Sequence, residues 1–234
     1  MRAFILCGGL GMRLRQVVSS VPKPMALVVG RPFLEYLLDF WITQGVSDFV
    51  LAVGYKHESI CQHFGQSYRG IPVSFSVEDG PLGTGGAFLL ALQRFPSKDS
   101  ILLLNGDTYF EVSLIAMKET MEAKSADGVI ALFEGQKNER YAGVALDEDG
   151  RIVSLSSQQS KGVRYFNGGV YLLAPEFFND SWWQRGGTLS LETEWIPRAL
   201  RAGTRMYGYP GNGPFIDIGV PDDYARAPSV VRAH

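Results

Sequence analysis

Near its start the chain gathers glycines and cations in a short span. Residues 7–14 read C-G-G-L-G-M-R-L, and Pro22-Lys23-Pro24 follows shortly after. The apolar run Ala3-Phe4-Ile5-Leu6 ahead of them reads as a short buried strand. Closely spaced glycines after a strand let backbone N–H groups approach phosphate oxygens, because no Cβ intervenes. Arg13 and Lys23 add positive charge to the same segment. A nucleotide phosphate site is therefore expected here, with Leu6, Gly8, Gly9 and Gly11 as nucleotide-binding candidates. A tight turn would explain the glycines alone. The P-loop pattern G-x-x-x-x-G-K-[ST] is absent, and the dinucleotide fingerprint G-x-G-x-x-G also fails.

Carboxylates come next. Asn105-Gly106-Asp107 follows an apolar run at 101–104, and Asp217 lies in F-I-D-I-G. In open α/β sheets, ligands bind beyond the carboxyl ends of strands, so Asp107 should face the same crevice as the glycine loop. Two such carboxylates can share one Mg²⁺, with phosphate oxygens completing its octahedron. A lone N-G-D is as readily a turn; its company with the glycine loop favours metal binding. Pro81-Leu82-Gly83-Thr84-Gly85-Gly86 is a second glycine cluster, at a strand-to-helix junction where a planar base can lie against backbone. Glu78 stands just ahead of it. A carboxylate accepts from two adjacent donors, as guanine N1–H and N2–H₂ present them, whereas the carbonyls of uracil and thymine repel it. Glu78 at a base edge would thus favour guanine; a solvated strand-end glutamate is the alternative.

The elements that must hold these residues alternate. Strands are expected at 3–7, 48–53, 73–77 and 101–105, with helices at 33–44, 57–64, 85–95 and 113–124. Such alternation predicts an α/β fold with a parallel sheet covered by helices. After about residue 127 the pattern changes to strands at 129–133, 143–146, 152–156 and 169–173, with a hairpin turn at 147–150. This half should add a partly antiparallel region and a lid. The chain is expected to form one domain, with a nucleotide-binding half at about 1–126 and a second half at about 127–225.

Composition sets further bounds. The 234 residues are 46% hydrophobic and 20% charged, as in an ordinary soluble globular protein. Two cysteines, Cys7 and Cys61, argue against a disulfide framework and suit a reducing cytoplasm. Cys7 reads as a packing residue rather than a nucleophile. His57, His63 and His234 have no partners at metal-ligand spacing and read as surface residues. A net charge of −2 offers no general attraction to nucleic acid or anionic membranes. No leader or membrane-length apolar run is evident.

G-G-L-G-M-R-L with P-K-P, then P-L-G-T-G-G-A, N-G-D, F-N-G-G-V-Y and D-I-G-V-P-D-D-Y, together resemble the sugar-1-phosphate nucleotidylyltransferases. Within that family, R-P-F-L-E-Y-L-L, V-G-Y-K-H-E and L-N-G-D-T-Y-F bring the chain nearest to the D-glycero-D-manno-heptose 1-phosphate guanylyltransferases. The resemblance implies a Rossmann-like, GT-A-type mixed and mainly parallel sheet flanked by helices, in the short form without a C-terminal β-helix. It implies that Asp107 and Asp217 bind Mg²⁺, Arg13 meets the β,γ-phosphates, and Lys23 bridges the α-phosphate and the sugar phosphate. Glu78, Gly8, Gly9, Gly83, Pro81, Thr84 and Gly106 would surround the nucleotide. Asn105, Ala142, Asn167, Gly168 and Glu192 would face the sugar. The implied partners are a nucleoside triphosphate, GTP favoured, and a sugar 1-phosphate, a heptose favoured; a homodimer is left open.

Two departures fall in the sugar-facing half. Arg140-Tyr141-Ala142 stands where the family has R-Y-G, and Ser157-Gln158 replaces a Glu-Lys pair whose lysine faces the sugar phosphate. Losing a charge-assisted contact costs about 1.5–3 kcal/mol, so Lys161 or Arg164 is expected to reach in instead. The alternatives are a mannose- or glucose-1-phosphate nucleotidylyltransferase with another NTP, or a non-catalytic nucleotide-sugar-binding regulatory paralogue. Trp182-Trp183 should place one ring in the core.

Overall fold

The computed structural model describes residues 1–9, 11–14, 17–135, 141, 143–156, 164–178 and 187–234. The chain opens with β1 (Arg2–Leu6), then the hairpin β2 (Leu27–Val28) and β3 (Arg31–Pro32), α1 (Phe33–Thr43), β4 (Asp48–Val53) and α2 (His57–Phe64). It continues through β5 (Ser67–Tyr68), β6 (Ile71–Val77), α3 (Gly83–Arg94), β7 (Ile101–Asn105), β8 (Thr108–Phe110) and α4 (Leu114–Ala123). The second half holds β9 (Gly128–Glu134), β10 (Gly143–Leu146), β11 (Ile152–Ser156), β12 (Tyr165–Leu173) and α5 (Ile196–Arg201). It ends with β13 (Met206–Gly211), β14 (Phe215–Asp217) and α6 (Pro221–Arg226).

Among the described residues one ten-stranded sheet runs β11-β10-β12-β7-β1-β4-β6-β5, with β9 pairing β12 and carrying β13 at its side. The ladders β7/β1, β1/β4 and β4/β6 are parallel. The strands β9, β10 and β7 all meet β12 antiparallel. The expected mixed, mainly parallel core is therefore present; the antiparallel part lies mostly in the second half, with β5 antiparallel to β6 at the far edge. Among the described residues nothing coils into a β-helix, and no helix is long and apolar enough to cross a membrane.

The period of two along the central strands sorts the core into two faces. Ala3 and Ile5 of β1 and Phe49 and Leu51 of β4 join Leu34, Leu37 and Trp41 of α1. Phe4, Val50 and Leu103 point the other way, to Phe88 of α3 and to Trp195. Phe4 and Phe88 meet edge to face at 5.4 Å. Each such fully buried side chain contributes about 1.5–3 kcal/mol relative to exposure. Among the described residues one charged side chain is buried: Asp39 of α1 accepts from Arg31 at 2.7 Å and Tyr68 at 2.9 Å, and pairs with Arg69 at 2.9 Å.

Several boundaries differ from expectation for local reasons. The helix expected at 85–95 begins at Gly83, because the N–H groups of Gly85 and Gly86 reach the Leu189 carbonyl and hold the first turn in place. The strand expected at 169–173 begins at Tyr165 and runs through the glycine pair. Gly169 sits at φ +70°, and the register against β9 shifts between Asn167 and Tyr171, so the glycines mark an irregularity inside a strand rather than its start. The turn at 147–150 is as expected: the Gly150 N–H donates to the Asp147 carbonyl at 3.1 Å, joining β10 to β11. The short pair β8/β14 and the strand β13 had no separate signal: the pair has three residues in each strand, and β13 is interrupted by glycine and proline. Trp182-Trp183 lies outside the described residues, as does most of the expected lid.

Candidate functional site

The carboxyl ends of β1, β4, β6 and β7 open onto one cavity of about 780 Å³. Leu6, Gly8, Gly9, Lys23, Glu78, Pro81, Gly83, Thr84, Asn105, Asp107 and Asp217 all line it, so most candidate residues from two distant ends of the sequence converge. This is the switch-point geometry of an open α/β sheet.

At one end stands Glu78, directly after β6. Its N–H donates to the Val53 carbonyl at 2.9 Å, and its Oε2 accepts from the Leu82 N–H at 3.3 Å. A Cβ on Gly8 would lie 2.5 Å from Glu78 Oε1, and one on Gly54 would also collide with that carboxylate. The two glycines thus leave the room in which the carboxylate lies. Burial pushes the Glu78 carboxyl above its usual range, and the Leu82 N–H pulls partly back.

At the other end stands Lys23. Pro22 is extended, at φ −68° and ψ 155°, and leads into a single 3₁₀ turn at Lys23–Met25 whose Pro24 and Met25 are buried. A φ-locked residue on one side and a buried one on the other aim the lysine stem. Its Nζ lies 3.0 Å from Asp107 Oδ2. Asp107 follows β7 through the turn at Gly106, whose N–H donates to the Leu6 carbonyl at 3.0 Å. Asp217 ends β14, where it pairs with Thr108 of β8. The Ile218 N–H donates to the Asp107 carbonyl at 3.0 Å, and the Gly219 N–H to Asp217 Oδ1 at 2.6 Å. The β8/β14 ribbon therefore sets both carboxylates on one wall. Among the described residues no group of three or more His, Cys, Asp or Glu is placed to hold a metal. Two carboxylates beside space for phosphate oxygens and water fit a hard, octahedral cation such as Mg²⁺, and do not fit a closed zinc cage. The Lys23 ammonium beside Asp107 marks this wall as a place for positive charge.

The other described candidates are not among the lining residues. Arg13 is exposed, and Gly11 lies against the Lys23 methylenes. Asn167, Gly168 and Glu192 form a second group. Gly168 lies against the Phe110 ring. Asn167 Nδ2 donates to the Tyr171 hydroxyl at 2.8 Å, and that hydroxyl donates to Glu192 Oε1 at 3.2 Å. Glu192 Oε2 accepts from Thr84 Oγ1 at 2.7 Å, and Thr84 Oγ1 accepts from the Leu191 N–H at 2.8 Å. A chain of hydrogen bonds thus ties the second glycine cluster to the strand carrying Asn167. Ala142, Gln158 and Lys161 lie outside the described residues. Arg164 is exposed and paired with Glu134.

Three residues were overlooked. Tyr171 is fully buried, and burial and the Glu192 charge push its hydroxyl far above the ordinary range. Its place in F-N-G-G-V-Y was visible, its hydrogen bonds were not. Tyr55 and His57 both line the cavity; His57 is half-buried, with Nδ1 3.2 Å from the Gly54 carbonyl, which corrects its surface reading. His63 and His234 are exposed, as expected. Cys7 is buried, and burial followed by the Asp107 charge pushes its thiol far up, so it packs rather than reacts.

The Nucleotidyl transferase family profile matches residues 2–233. The chain is 38% identical, over 97% of its length and 96% of the relative's, to D-glycero-alpha-D-manno-heptose 1-phosphate guanylyltransferase of Aneurinibacillus thermoaerophilus. It is 37% identical to the enzyme of that name from Campylobacter jejuni, over 96% of this chain and 97% of that one. The crystal structure of HddC from Yersinia pseudotuberculosis complexed with GMP-PN matches with a TM-score of 0.83 at 30% identity, over 97% of this chain and 98% of that one.

Proposed function

The chain belongs to the Nucleotidyl transferase family, and on that footing we propose that it transfers GMP from GTP to a sugar 1-phosphate, D-glycero-α-D-manno-heptose 1-phosphate, releasing pyrophosphate. The near-full-length likeness to two enzymes of that name supports the acceptor and the base. The observation that carries the reading is a carboxylate at one end of the cavity and an ammonium with two further carboxylates at the other.

Guanine lies against the glycines with N1–H and N2–H₂ on Glu78. The triphosphate runs past Gly8 and Gly9 toward Lys23, and Arg13 meets its β- and γ-phosphates. The acceptor needs no general base, since a phosphate monoester is an oxyanion at neutral pH. Its oxygen attacks the α-phosphorus; that O–P bond forms as the bond to the β-phosphate oxygen breaks, and pyrophosphate leaves with the electron pair. Lys23 leaves Asp107 for the two reacting phosphates, offsetting their repulsion and holding attacking and leaving oxygens in line. Mg²⁺ held by Asp107 and Asp217 would supply the remaining charge neutralisation at the phosphate oxygens. Asn167 and Glu192, braced by Tyr171, orient the sugar hydroxyls.

Pyrophosphate release with Mg²⁺, measured for GTP, ATP, CTP and UTP against the heptose 1-phosphate and mannose 1-phosphate, tests this. Turnover with GTP and the heptose is expected. Another productive pair overturns the base or sugar assignment, and no turnover with any pair overturns the catalytic reading.

A further inference from the structure

Lys56, in the turn between β4 and α2, has no role in the chemistry above, yet it is held unusually. Its backbone is left-handed, at φ 54° and ψ 36°, a conformation unfavourable to a residue with a Cβ. Its carbonyl accepts from both the Ser59 N–H at 3.3 Å and the Ser59 hydroxyl at 2.9 Å. Its ammonium crosses to the other loop, donating to the carbonyls of Ser19 at 2.7 Å and Ser20 at 2.9 Å. It also lies 5.4 Å from the centre of the Tyr55 ring.

Both ends of that crossing matter to the cavity. Behind Lys56, Gly54 lies against the Glu78 carboxylate, and the neighbours Tyr55 and His57 line the wall. Ahead of it, only Val21 and the φ-locked Pro22 separate Ser20 from Lys23. A displacement of Ser20 therefore passes to Lys23 with little to absorb it.

We propose that Lys56 is a positioning residue for Lys23: its ammonium straps the segment carrying Lys23 to the loop behind Glu78, fixing the distance between the base and phosphate ends of the site. Hydrogen bonds from a charged donor are the strong kind, and two consecutive carbonyls converge on this one. The left-handed turn aims the stem across the gap. The inference rests on the function proposed above, in which Lys23 meets the reacting phosphates.

The experiment compares Lys56→Gly, Lys56→Arg and Lys23→Ala with the unaltered chain by GTP-dependent pyrophosphate release and thermal unfolding. Glycine relaxes the left-handed backbone while removing the strap. Lys56→Gly is expected to lower kcat about tenfold or more, since a misplacement of about 1 Å can cost 10²-fold. The GTP KM should change less than kcat, and Tm should move by about 2 °C or less. Lys56→Arg, which reaches both carbonyls, should restore kcat to within about threefold. A kcat for Lys56→Gly within about twofold of the unaltered chain, with Lys23→Ala lowered about 10²-fold or more, overturns the inference and leaves the function standing. A loss that tracks a fall in Tm and is not restored by arginine overturns it in favour of a merely structural tether. No turnover by the unaltered chain removes the function and the inference together.

Discussion

The two ends of the functional region are built on different principles. At the proposed nucleotide end, each group sits at the end of its own parallel strand: Gly8 after β1, Gly54 after β4, Glu78 after β6 and Asp107 after β7. Backbone ladders aim them, and the contact among Gly8, Gly54 and Glu78 is one of close packing. At the proposed sugar end the groups hold one another. Glu192, Tyr171 and Asn167, joined by Thr84 of the second glycine cluster, form one chain of side-chain hydrogen bonds across three separate segments. The first arrangement is aimed by backbone, and the second by side chains that succeed or fail as a unit.

The largest effect that could break this contrast is on the rate. Lys23→Ala and Asp107→Ala should each lower kcat by roughly 10²–10³, as lost electrostatic stabilisers do, with little change in the sugar-phosphate KM. A loss confined to that KM would move both residues to the other side of the division. Next comes base choice. Glu78→Gln keeps the shape but removes the charge, and should shrink the kcat/KM preference for GTP over UTP by about 10- to 100-fold; an unchanged ratio would take Glu78 away from the base.

The contrast itself is sharpened by two double-mutant cycles read in urea unfolding. Thr84→Val with Tyr171→Phe should couple by about 0.5–3 kcal/mol through their shared partner Glu192, whereas Glu78→Gln with Lys23→Met should add within about 0.5 kcal/mol. Equal coupling in both cycles would erase the distinction. The smallest effect is on pH. Because burial raises the Glu78 carboxyl, falling pH protonates it earlier than an ordinary glutamate, and the neutral acid no longer accepts from both guanine donors. The kcat/KM for GTP should therefore begin to fall at a pH above the usual carboxylate range, and Glu78→Gln should abolish that bend.

Legibility in the sequence follows the same line. The central strands and their glycine turns were readable because strand-end position alone decides where Gly8, Glu78 and Asp107 go. Asp217 was readable as a carboxylate after an apolar run, although its pairing through β14 with β8 was not. Tyr171 was hidden because its importance lies in partners 4 and 21 residues away, which no periodicity encodes. His57 was misjudged because a histidine with no ligand spacing can still line a cavity when the preceding turn is left-handed.

The space left by Gly8 and Gly54 around Glu78 also says something about how such a chain can change over generations. A glutamine occupies the same volume as glutamate and is one nucleotide away in the genetic code, so the glycines admit it without moving. A bulkier side chain at residue 78 would meet the backbone of both loops at once. Drift in base preference is thus open to single steps along a narrow track. A new sugar would require several linked positions to change in concert.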